Sequence, residues 1–315
     1  MVRYTLQRLL LIVITLFLVV SIAFVTIRMM PGSFIKNRMM PAEIRKIIED
    51  KYHINDPLIV QYKYFLTNVL KGDFGVSLGI QPKVPVFDIL RSKIPITLQL
   101  NLFSLAIIIP FATLFGITTA LKKNQFYDHF INVLVVVMIS VPSFVFASLL
   151  QYNLAFKLGW FPILITTEKT LTLSKLHSMI LPILALSFGA IAGLTRYIRA
   201  ELAENLNSEF MLLAKAKGLK QIQAVFRHAI RNSFIPLANM IIPLFMGILG
   251  GSLVIEKIFG IPGTGPLMIS AINAHDHPVA IAVLLFYSGI GLISILLVDL
   301  SYGIIDPRIR IGGKR

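Results

Sequence analysis

Cysteine is absent from all 315 residues. That absence excludes disulfides, thiolate nucleophiles and thiolate-held metal centres. Charge is scarce as well: 14% of residues are Asp, Glu, Lys or Arg, where an average soluble domain carries about 25%. No G-x-x-x-x-G-K-[ST] phosphate loop occurs, so the chain cannot cradle ATP in that manner. Neither H-E-x-x-H nor G-x-S-G occurs, which disfavours a zinc protease and a rhomboid-like serine protease within the membrane. There is no low-complexity tract and no convincing repeat.

What is abundant is apolar surface. Hydrophobic residues make up 56% of the chain and mean hydropathy is +0.79. So much apolar surface calls for a lipid neighbour, and the composition predicts an all-α integral membrane protein. A spanning helix needs about 20 mostly apolar residues. Six stretches meet that need: residues 9–27, 98–121, 130–156, 179–197, 234–255 and 279–302. The first is longer than a signal-peptide core of about 7–15 residues and lacks a small-x-small cleavage site, so it reads as a retained helix.

The net charge of +15 could suggest nucleic acid, but in a membrane protein the distribution of charge matters more. Segments 1–8, 122–129, 196–233 and 304–315 together hold 15 Lys and Arg, whereas the loops 157–178 and 256–278 hold 4. The positive-inside rule then puts both termini in the cytoplasm. The expected organisation is an N-terminal transmembrane helix (1–30), an extracytoplasmic cap (31–97), a five-helix core (98–303) that includes a cytoplasmic segment (205–233), and a cytoplasmic tail (304–315).

Within the cap, residues 42–52 and 57–70 have helical spacing, and residues 72–77 read as a turn. Pro110, Pro142, Pro182, Pro236 and Pro243 are expected to kink or interrupt spans. The pairs Gly189/Gly193 and Gly247/Gly251 permit close helix approach, or they line a path. Asp299 is the one ionisable residue clearly inside a span, and local pairing with Arg308 and Arg310 is its expected role. Spans this poor in buried acids and bases argue against a proton- or ion-coupled carrier.

Residues 210–217 can form two helical turns, which Gly218 would end in a left-handed cap. An amphipathic ramp follows, with Ile222, Val225, Phe226, Ala229, Ile230 and Phe234 on one face and Gln223, Arg227, His228, Arg231 and Asn232 on the other. On pattern alone, a rigid docking elbow and an interfacial helix without a partner are equally served.

These residues also carry a resemblance. Ala214-Lys215-Ala216-Lys217-Gly218-Leu219, Arg227-His228-Ala229-Ile230-Arg231-Asn232 and Pro236 resemble the cytoplasmic signature loop of bacterial ABC importer permeases, in the branch serving oligopeptides, dipeptides and nickel. Leu212-Leu213-Ala214 stands where the generic signature has Glu-Ala-Ala, and the interval from Gly218 to Pro236 is longer than in the generic form. Both departures look like those of the peptide branch. Further likenesses span the chain: Tyr4-Thr5-Leu6-Gln7-Arg8-Leu9, Arg28 with Pro31-Gly32, Gly72-Asp73-Phe74-Gly75-Val76-Ser77, Pro95-Ile96-Thr97-Leu98, Phe259-Gly260-Ile261-Pro262-Gly263-Thr264-Gly265, and Asp299, Tyr302 and Asp306-Pro307-Arg308.

The resemblance implies a type I ABC importer permease fold of six transmembrane helices with a cytoplasmic coupling helix. It implies a non-catalytic subunit of the bacterial cytoplasmic membrane. Its implied partners are a second permease, two ATPases that bind the ATP and Mg, and an extracytoplasmic binding protein. Ala214, Lys215, Ala216, Lys217, Gly218 and Leu219 are the expected ATPase contact. Polar and small positions of the later spans are the candidate path lining: Asn101, Ser140, Ser143, Gln151, Asn239, Ser252 and Ser288. Oligopeptides are the first substrate expectation, then dipeptides, then nickel or a metal chelate. His275-Asp276-His277 could hold a metal, although such a cluster before Pro278 more often forms a solvated turn.

Overall fold

The structure is a computed structural model. It describes residues 2–29, 42–51, 53, 55–166, 168, 170–233, 236–247 and 251–305. The described residues are helical throughout, apart from loops and one isolated antiparallel bridge between Val76 and Pro85. Among the described residues, four continuous helical stretches are long and apolar enough to cross a membrane: Thr5–Thr26, Val86–Leu121, Leu173–Asn205 and His277–Ser301. They belong to α1 (Val2–Met29), α4 (Val86–Leu121), α7 (Leu173–Asn205) and α14 (His277–Ile305).

Two of the six expected spans are not continuous helices. Residues 130–156 divide into α5 (Phe126–Ser140), α6 (Ser143–Leu150) and a π-helical extension, Gln151–Lys157, with a bend of 97° at the break. The cause is Pro142. A proline disfavours the helical conformation in the residue before it, and Val141 is extended at φ −84, ψ 118. The stretch 234–255 contains α11 (Ala238–Gly247) and then α12 (Leu253–Ile258), which begins after Gly251 at φ +66 and a Ser252 cap. Pro110, Pro182 and Pro243 lie inside α4, α7 and α11 without ending them. Pro236 precedes α11.

The cap helices form as expected: α2 (Ala42–Lys51) and α3 (Leu58–Leu70). Gly72 and Gly75 then make the turn at φ +73 and +77. Helix α3 rests on α1, where Phe24 meets Tyr62 and Phe65 at ring distances of 5.3 and 5.1 Å. Pro31 and Gly32 lie outside the described residues. At its other end, α1 meets α14 through Arg8 Nε and Asp299 Oδ2 at 3.0 Å. Asp299 therefore pairs with the first helix, and Arg308 and Arg310 lie outside the described residues.

The bundle centres on α4 against α7. The two helices come close at Gly116, where a Cβ would sit 2.6 Å from Ile198 Cβ. Of the glycine pairs singled out in the sequence, Gly251 is also tightly packed, against Glu256 and Thr97, and the other three are not. A Cβ on Gly189, Gly193 or Gly247 would meet no heavy atom within 4 Å. Those three face open space, so close packing within this chain is not their role. Helix α4 begins at Val86, well before the expected span start at 98, because Val86, Ile89 and Leu90 bury against Val279, Ala280 and Val283 of α14 and against Leu267 and Ala271 of α13 (Leu267–Asn273).

Candidate functional site

Helix α8 (Glu209–Ala216) follows a tight turn after α7. Ser208 sits at its N-cap position, and the Met211 N–H donates to Ser208 O at 3.1 Å. Glu209 in the first turn and Lys215 in the last both complement the helix dipole. Two side chains anchor it. Met211 and Ala214 are buried among Ala120 of α4, Leu202 and Ala203 of α7, and Ala224, Val225 and Ala229 beyond. Burying the Met211 side chain is worth about 2 kcal/mol.

The helix ends as its sequence requires. Leu219 N–H donates to Ala214 O at 3.2 Å and Gly218 N–H to Lys215 O at 2.9 Å, the paired bonds of a Schellman motif. Gly218 occupies the left-handed position at φ +85. Space around it is open, so the demand for glycine is conformational and not steric. Leu219, half-buried, closes the motif against the same cluster.

Among the six expected contact residues, Ala214 faces inward and Leu219 is half-buried, whereas Lys215, Ala216, Lys217 and Gly218 are exposed. The exposed face also carries Leu212 at 64% and Leu213 at 57%, which the sequence reading left out of the contact set. The ramp departs from its expected pattern. It comprises α9 (Gln221–Ala224), a π-helical turn (Val225–Ala229) and α10 (Ile230–Ser233). The i→i+5 bonding shifts the register. Val225 and Ala229 are buried, while Ile222 and Phe226 are 72% and 64% exposed. Phe234 lies outside the described residues.

Behind α8, Asp128 at the start of α5 is buried and bonded on all sides. Arg199 of α7 grips it with Nε on Oδ1 at 2.6 Å and Nη2 on Oδ2 at 2.7 Å. The Asn124 N–H and the Asn132 side-chain amide complete the set at 3.0 and 2.6 Å. This clamp ties the α4–α5 turn to the helix that leads into α8. Nothing local in the sequence marks it, because its halves lie 71 residues apart.

A groove of about 420 Å³ lies between α4, α7 and α11. Its lining includes Asn101, Ser104, Ala190, Gly193, Pro243 and Gly247. Asn101 donates to Thr97 O and Ser104 to Leu100 O, both at 2.9 Å, so these polar side chains turn back to their own helix. The wall carries no charge. Of the candidate path residues, Asn101 lines the groove, and Ser140, Ser143, Gln151, Ser252 and Ser288 do not. Gln151 bonds Ile163 O and Ile258 O, and Ser252 caps α12. The Asn239 side chain lies outside the described residues.

At the end remote from α8, two fully buried carboxylates organise the loops. Glu256 of α12 accepts from Gly265 N–H at 2.9 Å, Thr97 Oγ1 at 3.1 Å and Ser252 N–H at 3.3 Å. Burial pushes its carboxyl above the usual 4.5, against the downward pull of those three bonds. Gly251, Gly263 and Gly265 wrap the group so closely that a side chain on any of them would strike Glu256, Thr97 or Ser252. Asp276 accepts from the Ser77 hydroxyl and from the N–H groups of Leu78, Gly79 and Ile80 at 3.1, 3.0 and 2.9 Å. Its oxygens are thus engaged by four donors, and no group of three His, Cys, Asp or Glu suited to a metal occurs among the described residues.

Comparison with known proteins gives this arrangement a context. Residues 112–311 match the family model described as binding-protein-dependent transport system inner membrane component. The dipeptide transport system permease protein DppB of Lactococcus lactis subsp. cremoris is 38% identical over 311 residues, covering 99% of this chain and 100% of that relative. DppB of Bacillus subtilis is 36% identical over 315 residues, with both chains fully covered. The oligopeptide transport system permease protein OppB of Haemophilus influenzae is 34% identical over 311 residues, covering 98% of this chain and 100% of that relative. The chain therefore belongs to the family of binding-protein-dependent transport system inner membrane components, as a non-catalytic, multi-pass permease subunit of an ABC importer.

Proposed function

We propose that this subunit forms half of a translocation path for oligopeptides, the other half coming from a second, homologous permease. Two ATPases bind ATP and Mg on the cytoplasmic side, an extracytoplasmic binding protein delivers the peptide, and both termini lie in the cytoplasm. The observation that carries this reading is α8. It is a two-turn helix pinned by Met211 and Ala214, rigidly capped at Gly218, and apolar at Leu212 and Leu213 on its exposed face. A helix anchored on one side and apolar on the other suits insertion into a cleft of a protein partner. Helix α7 and the Asp128–Arg199 clamp would pass motion at α8 to the groove, whose open glycine faces await the partner subunit.

The test is reconstitution in proteoliposomes with the cognate ATPases, second permease and binding protein. The wild-type assembly is expected to import a pentapeptide only with ATP. Gly218→Pro is incompatible with φ +85, because proline fixes φ near −65°. This change, or Lys217→Glu, is expected to leave hydrolysis running while uptake falls by about tenfold or more, roughly the loss of 1.4 kcal/mol of coupling. Undiminished uptake with both changes would remove α8 from this role. A dipeptide cargo is the second reading, favoured by the higher identities of 38% and 36% to DppB proteins. Competition between dipeptide and pentapeptide uptake separates the two.

A further inference from the structure

A second cavity, of about 290 Å³, opens at the ends of α4 and α7 remote from α8. It is lined by Ser92, Gln99, Thr166, Glu168, Lys175 and Pro262, among others. It is not the groove. Gln99 and Asn101 are two residues apart, which puts them about 200° apart around α4.

Two of its side chains are unexplained by the fold. Lys175 is 5% exposed, and among the described residues its ammonium has no acceptor. It also stands in the first turn of α7, where the helix dipole opposes a cation. Gln99 Oε1 is buried with no donor. A buried amide oxygen without a donor is costly unless a ligand satisfies it, and Lys175, whose side chain is otherwise covered, lines the same cavity with no ion pair among the described residues. Lys175 calls for an anion, and Gln99 for an N–H beside it. Glu168, which takes the Thr172 hydroxyl, adds a negative charge at the lining that disfavours a bare anion and suits a ligand with a cationic end.

We propose that this cavity binds the C-terminal end of a short zwitterionic peptide. The α-carboxylate meets Lys175, the adjoining amide N–H meets Gln99, and the cationic end lies toward Glu168. The proposal rests on the peptide-import reading and gives it a subsite at the end remote from α8, across α4 from the groove.

The test needs no transport. The assembled permease–ATPase complex in nanodiscs, without binding protein, is titrated with trialanine and with trialanine amide by saturation-transfer NMR. Trialanine is expected to bind at least about tenfold more tightly than its amide, as one charge-assisted contact would give. Lys175→Met should erase the difference, and Gln99→Leu should weaken both ligands. If Lys175→Met fails to assemble, Lys175→Arg serves in its place and should retain the preference. Equal binding of acid and amide by the wild type overturns the proposal, as does a preference that survives Lys175→Met. If both peptides fail to bind while Lys175→Glu weakens docking of the binding protein, the cavity belongs to that interface and the proposal also falls. Failure of the import reading would instead show as absent ATP-driven uptake by the wild type.

Discussion

The two ends of the bundle are secured in contrasting ways. Remote from α8, Glu256 and Asp276 are fully buried, each ringed by hydrogen-bond donors, with glycine backbone pressed around Glu256. At the α8 end, the helix is held by Met211 and Ala214, one backbone cap, and a charged pair one layer behind. A polar hub with every oxygen engaged tolerates little displacement, since moving any donor leaves a buried acceptor unmatched. A helix resting on two small apolar contacts can move as a unit with α7. The contrast teaches which end is the more yielding: the loops remote from α8 are fixed points, and α8, as the proposed coupling helix would need, is held more lightly.

The contrast should break most severely at Asp276. Asp276→Ala leaves the Ser77 hydroxyl and three N–H groups without their acceptor. At about 1–3 kcal/mol per unsatisfied buried donor, less what water restores, a loss of about 3 kcal/mol is expected. Thermal melting of the purified subunit in detergent measures it. Asp128→Asn comes next. It strands Arg199, but that side chain is 24% exposed, so about 2 kcal/mol is expected, below the 3–5 typical of a fully buried pair. An unchanged melting temperature would show that the clamp carries no stability.

Glu256 sharpens the comparison through pH. Its carboxyl is raised above 4.5, so the folded state holds the proton more tightly than the unfolded chain. Its contribution is fully present below 4.5 and is lost as pH rises from there through the raised value. Hydrogen exchange at Gly265 should therefore quicken over that window beyond its intrinsic pH dependence. Glu256→Gln should flatten the response while costing about 1 kcal/mol, because an amide offers a donor where the site supplies donors already. The smallest effect on stability is expected at α8. Leu212→Ser with Leu213→Ser should shift stability by no more than about 0.5 kcal/mol, as exposed substitutions do. Copurification of the ATPase should nevertheless fall, and full retention would remove these residues from the docking face.

Much of the α8 end was legible in the sequence because its signals are local. Two turns of helix and a glycine at the left-handed position follow from residues within a few positions of one another, as does the turn at Gly72 in the cap. The remainder depends on partners far along the chain. Asp128 and Arg199, Ser77 and Asp276, and Thr97 and Glu256 are joined only by the fold. The divided spans were half legible. Pro142 was expected to interrupt, but hydropathy alone ran residues 130–156 together, since each half is as apolar as the whole. Of the paired glycines Gly251 is closely approached and the other three are not, since spacing shows that two small residues share a face, not whether anything approaches it. Gly116, which has Ala112 and Ala120 at that spacing, makes a close contact as well.

The groove wall has a kinetic consequence. Asn101 and Ser104 each donate a hydrogen bond to their own helix, and Gly193 and Gly247 present bare backbone. A surface with no fixed charge would form no deep well for a peptide on the proposed path. On the proposed path, residence there would be brief, and the pace of passage would be set by how often the corridor opens, not by how long its contents cling.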